Sequence, residues 1–462
     1  MKSLKEKCGV VGVWGAEDAA HLTYLSLFAL QHRGQEGAGI VSCDSSSRFR
    51  AHRGEGLVSQ IFPKERLQDL PGSVAIGHVR YSTAGGSLAK NLQPLWVQSL
   101  DGDVAMAHNG NLTNALHLRR QLEAQGSVFQ TSSDTETILH LMAQEKGSAR
   151  DRLTAALKQV EGAFSLVVLV RDGAGVSLFA AKDPQGFRPL VVGQRGETLF
   201  FASETCAFDL VGADYLRELA PGEMVEISKS GMESWIWAED PKPAPCIFEW
   251  IYFSRPDSTV FHRSVYEVRK KLGELLADQD AQMGLRADLV MGVPDSGIPA
   301  AIGYAQKSGL PFELGLIRNH YIGRTFIEPH QSVRDFGVRI KQNPLKETLR
   351  GKRVVIVDDS LVRGTTAKKI NQILREAGVR EIHMRISAPP TVSPCYYGID
   401  TPAESELLAA RKTVDEVSDF VAADSVRYLS IESIREGIGL SSRFCDACFT
   451  KDYPVPPRDQ SA

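Results

Sequence analysis

Three places in this chain carry residue types and spacings that could do chemistry. The first is Arg353-Val-Val-Ile-Val-Asp358-Asp359-Ser360-Leu-Val-Arg363-Gly364-Thr365-Thr366. An apolar strand there ends in two adjacent acids, and a loop bearing a glycine and two threonines opens a helix. Backbone N–H groups, hydroxyls and the helix N-terminus then converge on a phosphate. The acids cannot serve that phosphate directly, and their sign suits ribose hydroxyls or a Mg²⁺ ion bridging to a second phosphate group. It is no Walker loop, because the lysine of G-x-x-x-x-G-K-[ST] is missing. The second place is Cys8, a candidate nucleophile that begins the apolar run Cys8-Gly-Val-Val-Gly12 after a hydrophilic heptapeptide. On that fragment alone, a small buried strand residue is the simpler reading. The third is Cys445-Asp-Ala-Cys448, with the tight spacing of two metal ligands or a redox pair but no thioredoxin-like βαβ context.

Different elements must position these groups. Up to about residue 235 short apolar strands alternate with glycine turns, as in Phe164 to Val170, Arg-Asp-Gly-Ala-Gly, and Val176 to Ala181. That pattern predicts antiparallel hairpins. Two helices interrupt it, one with Leu22, Leu25 and Ala29 on a single face, the other opened by a capping box at Ser133-Asp-Thr-Glu136. Three prolines between Pro241 and Pro245 predict a stiff extended linker, which sets the domain boundary. Beyond it, a helix bearing Val265, Val268, Leu272 and Leu275 leads to strand Asp288 to Val293, helix Pro299 to Gln306, and strand Phe312 to Ile317. Strand Val354 to Val357, a helix from Thr366 to Ala377 and strand Ile382 to Ile386 follow. This alternation predicts a mainly parallel sheet with ligands at the carboxyl ends of its strands.

The bulk numbers fit such an enzyme. A chain of 462 residues predicts two domains of roughly 200 residues each. Hydrophobic residues at 43% and charged residues at 24% exclude global disorder. The 53 basic and 56 acidic residues leave a net charge of -3, so no overall field draws nucleic acid or an anionic membrane. No run of roughly 18 uncharged apolar residues occurs and the first residues are too polar for a signal peptide, which predicts a cytoplasmic protein. Seven cysteines, an odd and scattered set, point to metal binding or catalysis rather than a disulfide framework.

With its neighbours, the Asp358-Asp359 stretch resembles the phosphoribosyl pyrophosphate (PRPP) motif of the type I phosphoribosyltransferases. The resemblance implies that Ser360, Arg363, Gly364, Thr365 and Thr366 hold the 5′-phosphate and that Asp358 and Asp359 hold the ribose and metal. It also implies that Asp295 and Ser296, in Pro294-Asp-Ser-Gly297, cradle pyrophosphate, with Ser296 a further Mg²⁺ contact. Arg318, Arg324, Arg334, Arg339 and Lys341 would belong to a basic loop that closes over the substrate.

In the first half, Gln31-His-Arg-Gly-Gln-Glu-Gly-Ala-Gly39, Gly77-His-Val-Arg80-Tyr-Ser-Thr83, His108-Asn109-Gly110-Asn111 and Ser132-Ser-Asp134-Thr-Glu136 follow Cys8 in order. Together they resemble the glutaminase domain of the N-terminal nucleophile (Ntn) amidotransferases. With both halves present, the chain resembles the glutamine phosphoribosylpyrophosphate amidotransferases from Cys8 to about Tyr453. That implies an α+β Ntn-hydrolase glutaminase domain of αββα layers (8–238) after a propeptide (1–7). An α/β type I phosphoribosyltransferase domain with a mainly parallel sheet and a cluster-binding tail (239–462) would follow.

The implied reaction is ammonia transfer from glutamine to PRPP, the first committed step of purine synthesis. Cys8 would be the nucleophile, with its own α-amine as base once the heptapeptide is gone. Asn109 and Gly110 would form the oxyanion hole, Arg80 would hold the glutamine α-carboxylate and Asp134 its α-ammonium. One subgroup of the family carries a [4Fe-4S] cluster whose ligands match Cys246, Cys395, Cys445 and Cys448. Four thiolates could equally bind Zn²⁺, and the choice of iron rests on the resemblance. Purine nucleotide feedback inhibitors and a homotetramer are also implied. A glucosamine phosphate synthase would lack the Asp358-Asp359 loop, and a PRPP-sensing repressor should carry a basic DNA-binding module, which the sequence does not show.

Overall fold

The structure, a computed structural model, describes residues 6–82, 89–99, 102–319, 342–399, 401–439 and 443–460. Its first half holds two antiparallel sheets. One has seven strands in the order Asp214–Glu218, Val191–Arg195, Thr198–Ala202, Glu6–Trp14, Val74–Ser82, Gly37–Cys43, Phe49–Glu55. The other has six, in the order Gly231–Ile236, Glu223–Ser228, Gly175–Lys182, Gly162–Asp172, Gly102–Leu112, Leu95–Ser99.

Strand alternation sorts their side chains into layers. On the strand Glu6–Trp14, Val11 and Val13 face the helices Ala19–Ala29 and Cys206–Val211, whereas Val10 faces inward. There Val10 and Ile76 of one sheet meet Ala105, Ala107 and Val167 of the other in a dry inter-sheet layer. The outer face of the six-stranded sheet is covered by the helices Ala115–Ala124, Thr135–Gln144 and Ala149–Leu157. The expected αββα sandwich is the result.

The second half is built on a four-stranded parallel sheet, Leu289–Gly292, Arg353–Asp358, Glu381–Ile386 and Ser425–Tyr428, adjacent in that order. Its strands Leu289–Gly292 and Arg353–Asp358 are apolar on both faces because helices such as Val265–Gln282 and Ile298–Ser308 lie against the sheet, whereas Glu381–Ile386 buries Arg385 on one face in an ion pair with Asp280 of the helix Val265–Gln282. Val265, Val268 and Leu272 of the first helix are buried in this core as the sequence reading has them, while its last member, Leu275, packs at the margin and Leu276 is fully buried instead.

Three local expectations are corrected. The run from Phe312 to Ile317 is not one strand. Phe312 bridges Val290 at the sheet, and the chain then leaves so that Leu316–Arg318 pairs antiparallel with Gln342–Pro344. Gly315 marks the departure, since a Cβ there would meet the Met291 sulfur at 2.5 Å. The capping box at Ser133–Glu136 does not form. The Glu136 carboxylate instead accepts from the backbone N–H groups of Gln130 and Thr131, both at 2.7 Å, holding the preceding turn. Nor does the proline segment stand free. Lys242, Ala244 and Cys246 donate backbone N–H bonds to Pro184, Gln185 and Phe187 at 3.0, 2.7 and 3.1 Å.

Candidate functional sites

Cys8 and Arg80 are directly opposed on neighbouring antiparallel strands. Both have the parity of the inward-facing Val10 and Ile76, so both face the layer between the sheets, and both are fully buried. On the facing sheet Asn109 has the parity of Ala105 and Ala107 and faces the same layer. The two sheets are tied at this point by a 3.2 Å contact from the His78 ring to the His108 carbonyl. Burial and the Arg80 charge push the His78 imidazole down to about 3, so the ring is neutral and architectural.

The Asn109 side-chain NH₂ is buried and meets no hydrogen-bond acceptor among the described residues. A buried donor without a partner costs about 1–3 kcal/mol, and an oxyanion beside it would recover that cost. Asp134 sits at the N-terminus of the helix Thr135–Gln144, and its carboxylate accepts from the Leu112 N–H at 2.9 Å. Burial opposes its ionisation. The His108 ring and the N–H groups of Leu112 and Thr135 outweigh burial and hold the carboxyl below its ordinary range. A charged Asp134 facing an ammonium group is therefore within the site's means.

The seam between the halves is charged, which the sequence does not announce. Arg33 is fully buried between Glu204 and Glu249, with Glu249 Oε2 at 2.6 Å, and Arg188 reaches the same Glu249 carboxylate at 2.9 Å. His32 also meets Glu204, at 2.7 Å. Arg33 lies in a stretch the sequence singles out, but nothing in a linear reading pairs it with a carboxylate more than two hundred residues away.

In the second half an open cavity of about 440 Å³ lies at the carboxyl end of the parallel sheet. Asp358, Asp359, Ser360, Arg363, Gly364, Thr365, Thr366 and Ser296 line it, as the sequence predicts. Gly364, with φ of +72°, turns the loop into the helix Thr365–Glu376 in a backbone conformation that side chains disfavour. Burial and the adjacent Asp359 charge raise the Asp358 carboxyl well above its ordinary value. Two such acids with the Ser296 hydroxyl give hard oxygen donors whose mutual repulsion a divalent cation would relieve, so the set fits Mg²⁺. Asp295 does not line this cavity, and its carboxylate pairs with Arg318. The remaining members of the basic loop, Arg324, Arg334, Arg339 and Lys341, lie outside the described residues. Tyr252 and Phe248 form a wall of the cavity that sequence reasoning missed.

Cys246, Cys395, Cys445 and Cys448 line one small apolar cavity of about 20 Å³, together with Phe187, Phe248, Tyr397 and Tyr453. Cys246 and Cys445 are bridged through the backbone, with Ile247 N–H to Cys445 O at 3.2 Å and Cys445 N–H to Pro245 O at 2.8 Å. Burial pushes the Cys246 thiol up to about 12 and the Cys445 and Cys448 thiols well above their ordinary value. Such thiols ionise only alongside a group that takes up their charge. No three of the described His, Cys, Asp or Glu side chains gather closely enough to hold one metal ion. Four thiols lining one cavity are the donor set that a [4Fe-4S] cluster takes, and these four residues would hold one. Of the other two cysteines, Cys206 opens a buried helix and Cys43 is buried at the end of the strand Gly37–Cys43.

Fold and sites together define a two-domain enzyme in which a glutamine amidotransferase is joined to a phosphoribosyltransferase. A glutamine amidotransferase domain matches residues 78–209, and a phosphoribosyl transferase domain matches residues 263–391. The chain is 52% identical to amidophosphoribosyltransferase 2, chloroplastic, of Arabidopsis thaliana over 98% of its own length and 80% of that protein. It is 48% identical to the amidophosphoribosyltransferase of Bacillus subtilis, over 98% and 95%. The solved Bacillus subtilis enzyme, complexed with ADP and GMP, superposes with a TM-score of 0.91 at 47% identity, covering 97% of this chain and 98% of that one. A second structure, described as the allosteric regulatory enzyme of purine biosynthesis, gives 0.93 at 47% identity over 98% of both chains. The chain belongs to the amidophosphoribosyltransferase family.

Proposed function

We propose that this enzyme transfers ammonia from glutamine to PRPP, giving 5-phosphoribosylamine, glutamate and pyrophosphate at the first committed step of purine biosynthesis. The observation that carries the reading is the presence, in one chain, of a buried Cys8–Arg80 pair facing Asn109 and a phosphate-loop cavity ending in Asp358 and Asp359.

Cys8 attacks the glutamine side-chain amide. Its base is its own α-amine, whose pKa near 7.7–8.0 suits the task once residues 1–7 are removed. The Asn109 NH₂ and the Gly110 N–H receive the tetrahedral oxyanion, Arg80 the α-carboxylate and Asp134 the α-ammonium. In the second half, residues 8–238 having given way to 239–462, Ser360, Arg363, Gly364, Thr365 and Thr366 take the 5′-phosphate and Asp358 and Asp359 the ribose hydroxyls. Ser296 borders the pyrophosphate, with the Asp295 backbone next to it in the same turn. Mg²⁺ held by Asp358, Asp359 and Ser296, one ion per subunit, would supply charge neutralisation to the leaving pyrophosphate. Ammonia free in water is mostly protonated and poorly nucleophilic, which favours an internal route between the sites.

Cys246, Cys395, Cys445 and Cys448 would hold one [4Fe-4S] cluster per subunit, a cross-brace linking the segment after the first half to the C-terminal tail. Supporting this is the one cavity that the four cysteines share. Purine nucleotides as feedback inhibitors, a homotetramer and a cytoplasmic location complete the reading. Nucleotides are supported by the ADP and GMP bound to the Bacillus subtilis relative. Among the described residues no helix is long and apolar enough to cross a membrane.

The test is an assay of anaerobically purified protein with glutamine and PRPP. Equimolar glutamate and pyrophosphate are expected, and Cys8→Ser should lose glutamine-dependent synthesis while keeping ammonia-dependent synthesis. Pyrophosphate release without any glutamate from wild type starting at Cys8 would refute the glutaminase assignment.

A further inference from the structure

Gly398 belongs to the second half, yet it lies against the strand that carries Asn109 and Gly110. A Cβ added to it would stand 2.8 Å from the Gly110 carbonyl carbon and 2.9 Å from its oxygen, and its φ of +92° is itself one that side chains disfavour. The contact is one of three along residues 396–398. The Asn111 side-chain N–H₂, next on the same strand, donates to the Tyr396 carbonyl at 2.8 Å. Arg188 donates to the Tyr397 carbonyl from Nε and Nη2 at 3.2 and 2.9 Å, and the Tyr397 ring stacks on Phe187 at 4.2 Å. Gly110 is confined from its other side as well, where a Cβ would stand 2.0 Å from the Ala163 carbonyl oxygen. Its backbone is thus clamped between a strand of its own sheet and a loop of the other half.

We infer that Gly398 is a positioning residue for the glutaminase reaction: the backbone of the phosphoribosyl half fixes where the Gly110 peptide stands, and so how well the oxyanion is received. An oxyanion donor acts on the transition state, and its effect falls steeply with small displacements. The loop acts through the backbone of Gly110, beside the oxyanion donors, so its influence should be read in turnover rather than in substrate binding. The inference rests on the glutaminase reading above.

The experiment compares full-length wild type, Gly398→Ala and Asn111→Ala. Glutaminase kcat and KM are measured by glutamate release, and ammonia-dependent synthesis by pyrophosphate release. For Gly398→Ala, glutaminase kcat should fall roughly 10- to 100-fold with KM for glutamine changed by less than about twofold, while ammonia-dependent synthesis stays near wild type. Asn111→Ala, which adds no atom and no backbone strain, should move the same quantities in the same direction by a smaller factor. Unchanged glutaminase kcat, a rise in KM alone, or an equal fall of both activities would overturn the inference. If Gly398→Ala does not fold, Asn111→Ala decides by the same criteria. A wild type that makes phosphoribosylamine from ammonia but hydrolyses no glutamine would instead refute the glutaminase reading and this inference with it.

Discussion

Replacing Glu249 by Gln tests whether the charged seam between the halves holds the fold. The Glu249 side chain is wholly buried and accepts from Arg33 Nη2 at 2.6 Å, Arg188 Nη1 at 2.9 Å and Ser254 Oγ at 2.6 Å. Glutamine keeps the volume but removes the charge and turns an amide NH₂ toward donors. Arg33 and Arg188 are then left buried, Arg33 with Glu204 and Arg188 with the Tyr397 carbonyl as the remaining partners. Breaking a buried pair on one side costs about 3–5 kcal/mol. For a domain of 150–250 residues, at about 2–4 °C per kcal/mol, melting should drop by roughly 6–20 °C. Circular dichroism melts at neutral pH read this directly. In Glu249→Met with Arg188→Met, Arg33 keeps its contact with Glu204, and most of the loss should return.

Burial alone would raise the Glu249 carboxyl, but the two guanidiniums outweigh it and hold the group below its ordinary range; Glu204 is held low against its burial by Arg33, His32 and the Ser258 hydroxyl. A carboxylate depressed in the folded state stabilises fully above its unfolded pKa of about 4.3 and loses that effect as pH falls through the folded value. The gap between wild type and Glu249→Gln should hold constant from pH 7 to about 5 and close below about 4. A variant melting within about 2 °C of wild type at neutral pH would refute the reasoning.

Asn109→Ala should lower glutaminase kcat by about 10²–10³ with little change in KM, since it removes an oxyanion donor; an unchanged kcat in a glutamate-release assay contradicts that role. Asp358→Asn should abolish PRPP-dependent pyrophosphate release. Because burial and Asp359 already disfavour its charge, the same variant should melt no lower than wild type. Cys448→Ser should lose the visible absorption and most of the iron of anaerobically purified protein, measured by spectrum and metal analysis, and a wild type rich in zinc and free of iron would replace the cluster assignment.

The sequence discloses sites in proportion to how local they are. Asp358 to Thr366 is one uninterrupted stretch, so its strand, acids, loop and helix start are readable together, and the structure lines one cavity with them. Cys8, Arg80 and Asn109 are far apart in the chain, and only resemblance gathers them. Strand parity then explains why they share a layer, but which strands are neighbours is not written in any window of residues. The failed capping box has a similar cause, because Glu136 finds nearer N–H partners in the turn before it. Asp295 stands beside a correctly placed strand end, yet Arg318 takes its carboxylate. Glu249 and Gly398 carried no signal at all, since their meaning lies wholly in what the other half brings against them.

The proline segment that docks on residues 184–187 also bears on how the chain comes into being. Lys242, Ala244 and Cys246 find their carbonyl partners on a turn made earlier in synthesis, and the last of the three is one of the four thiols. Domains generally fold in the order they leave the ribosome. The first half therefore acts as a template on which the opening residues of the second are laid down, and the thiol cavity is begun on that template before Cys395, Cys445 and Cys448 have been made. Cutting the gene in two at this seam would separate a mould from its casting, rather than release two self-sufficient enzymes.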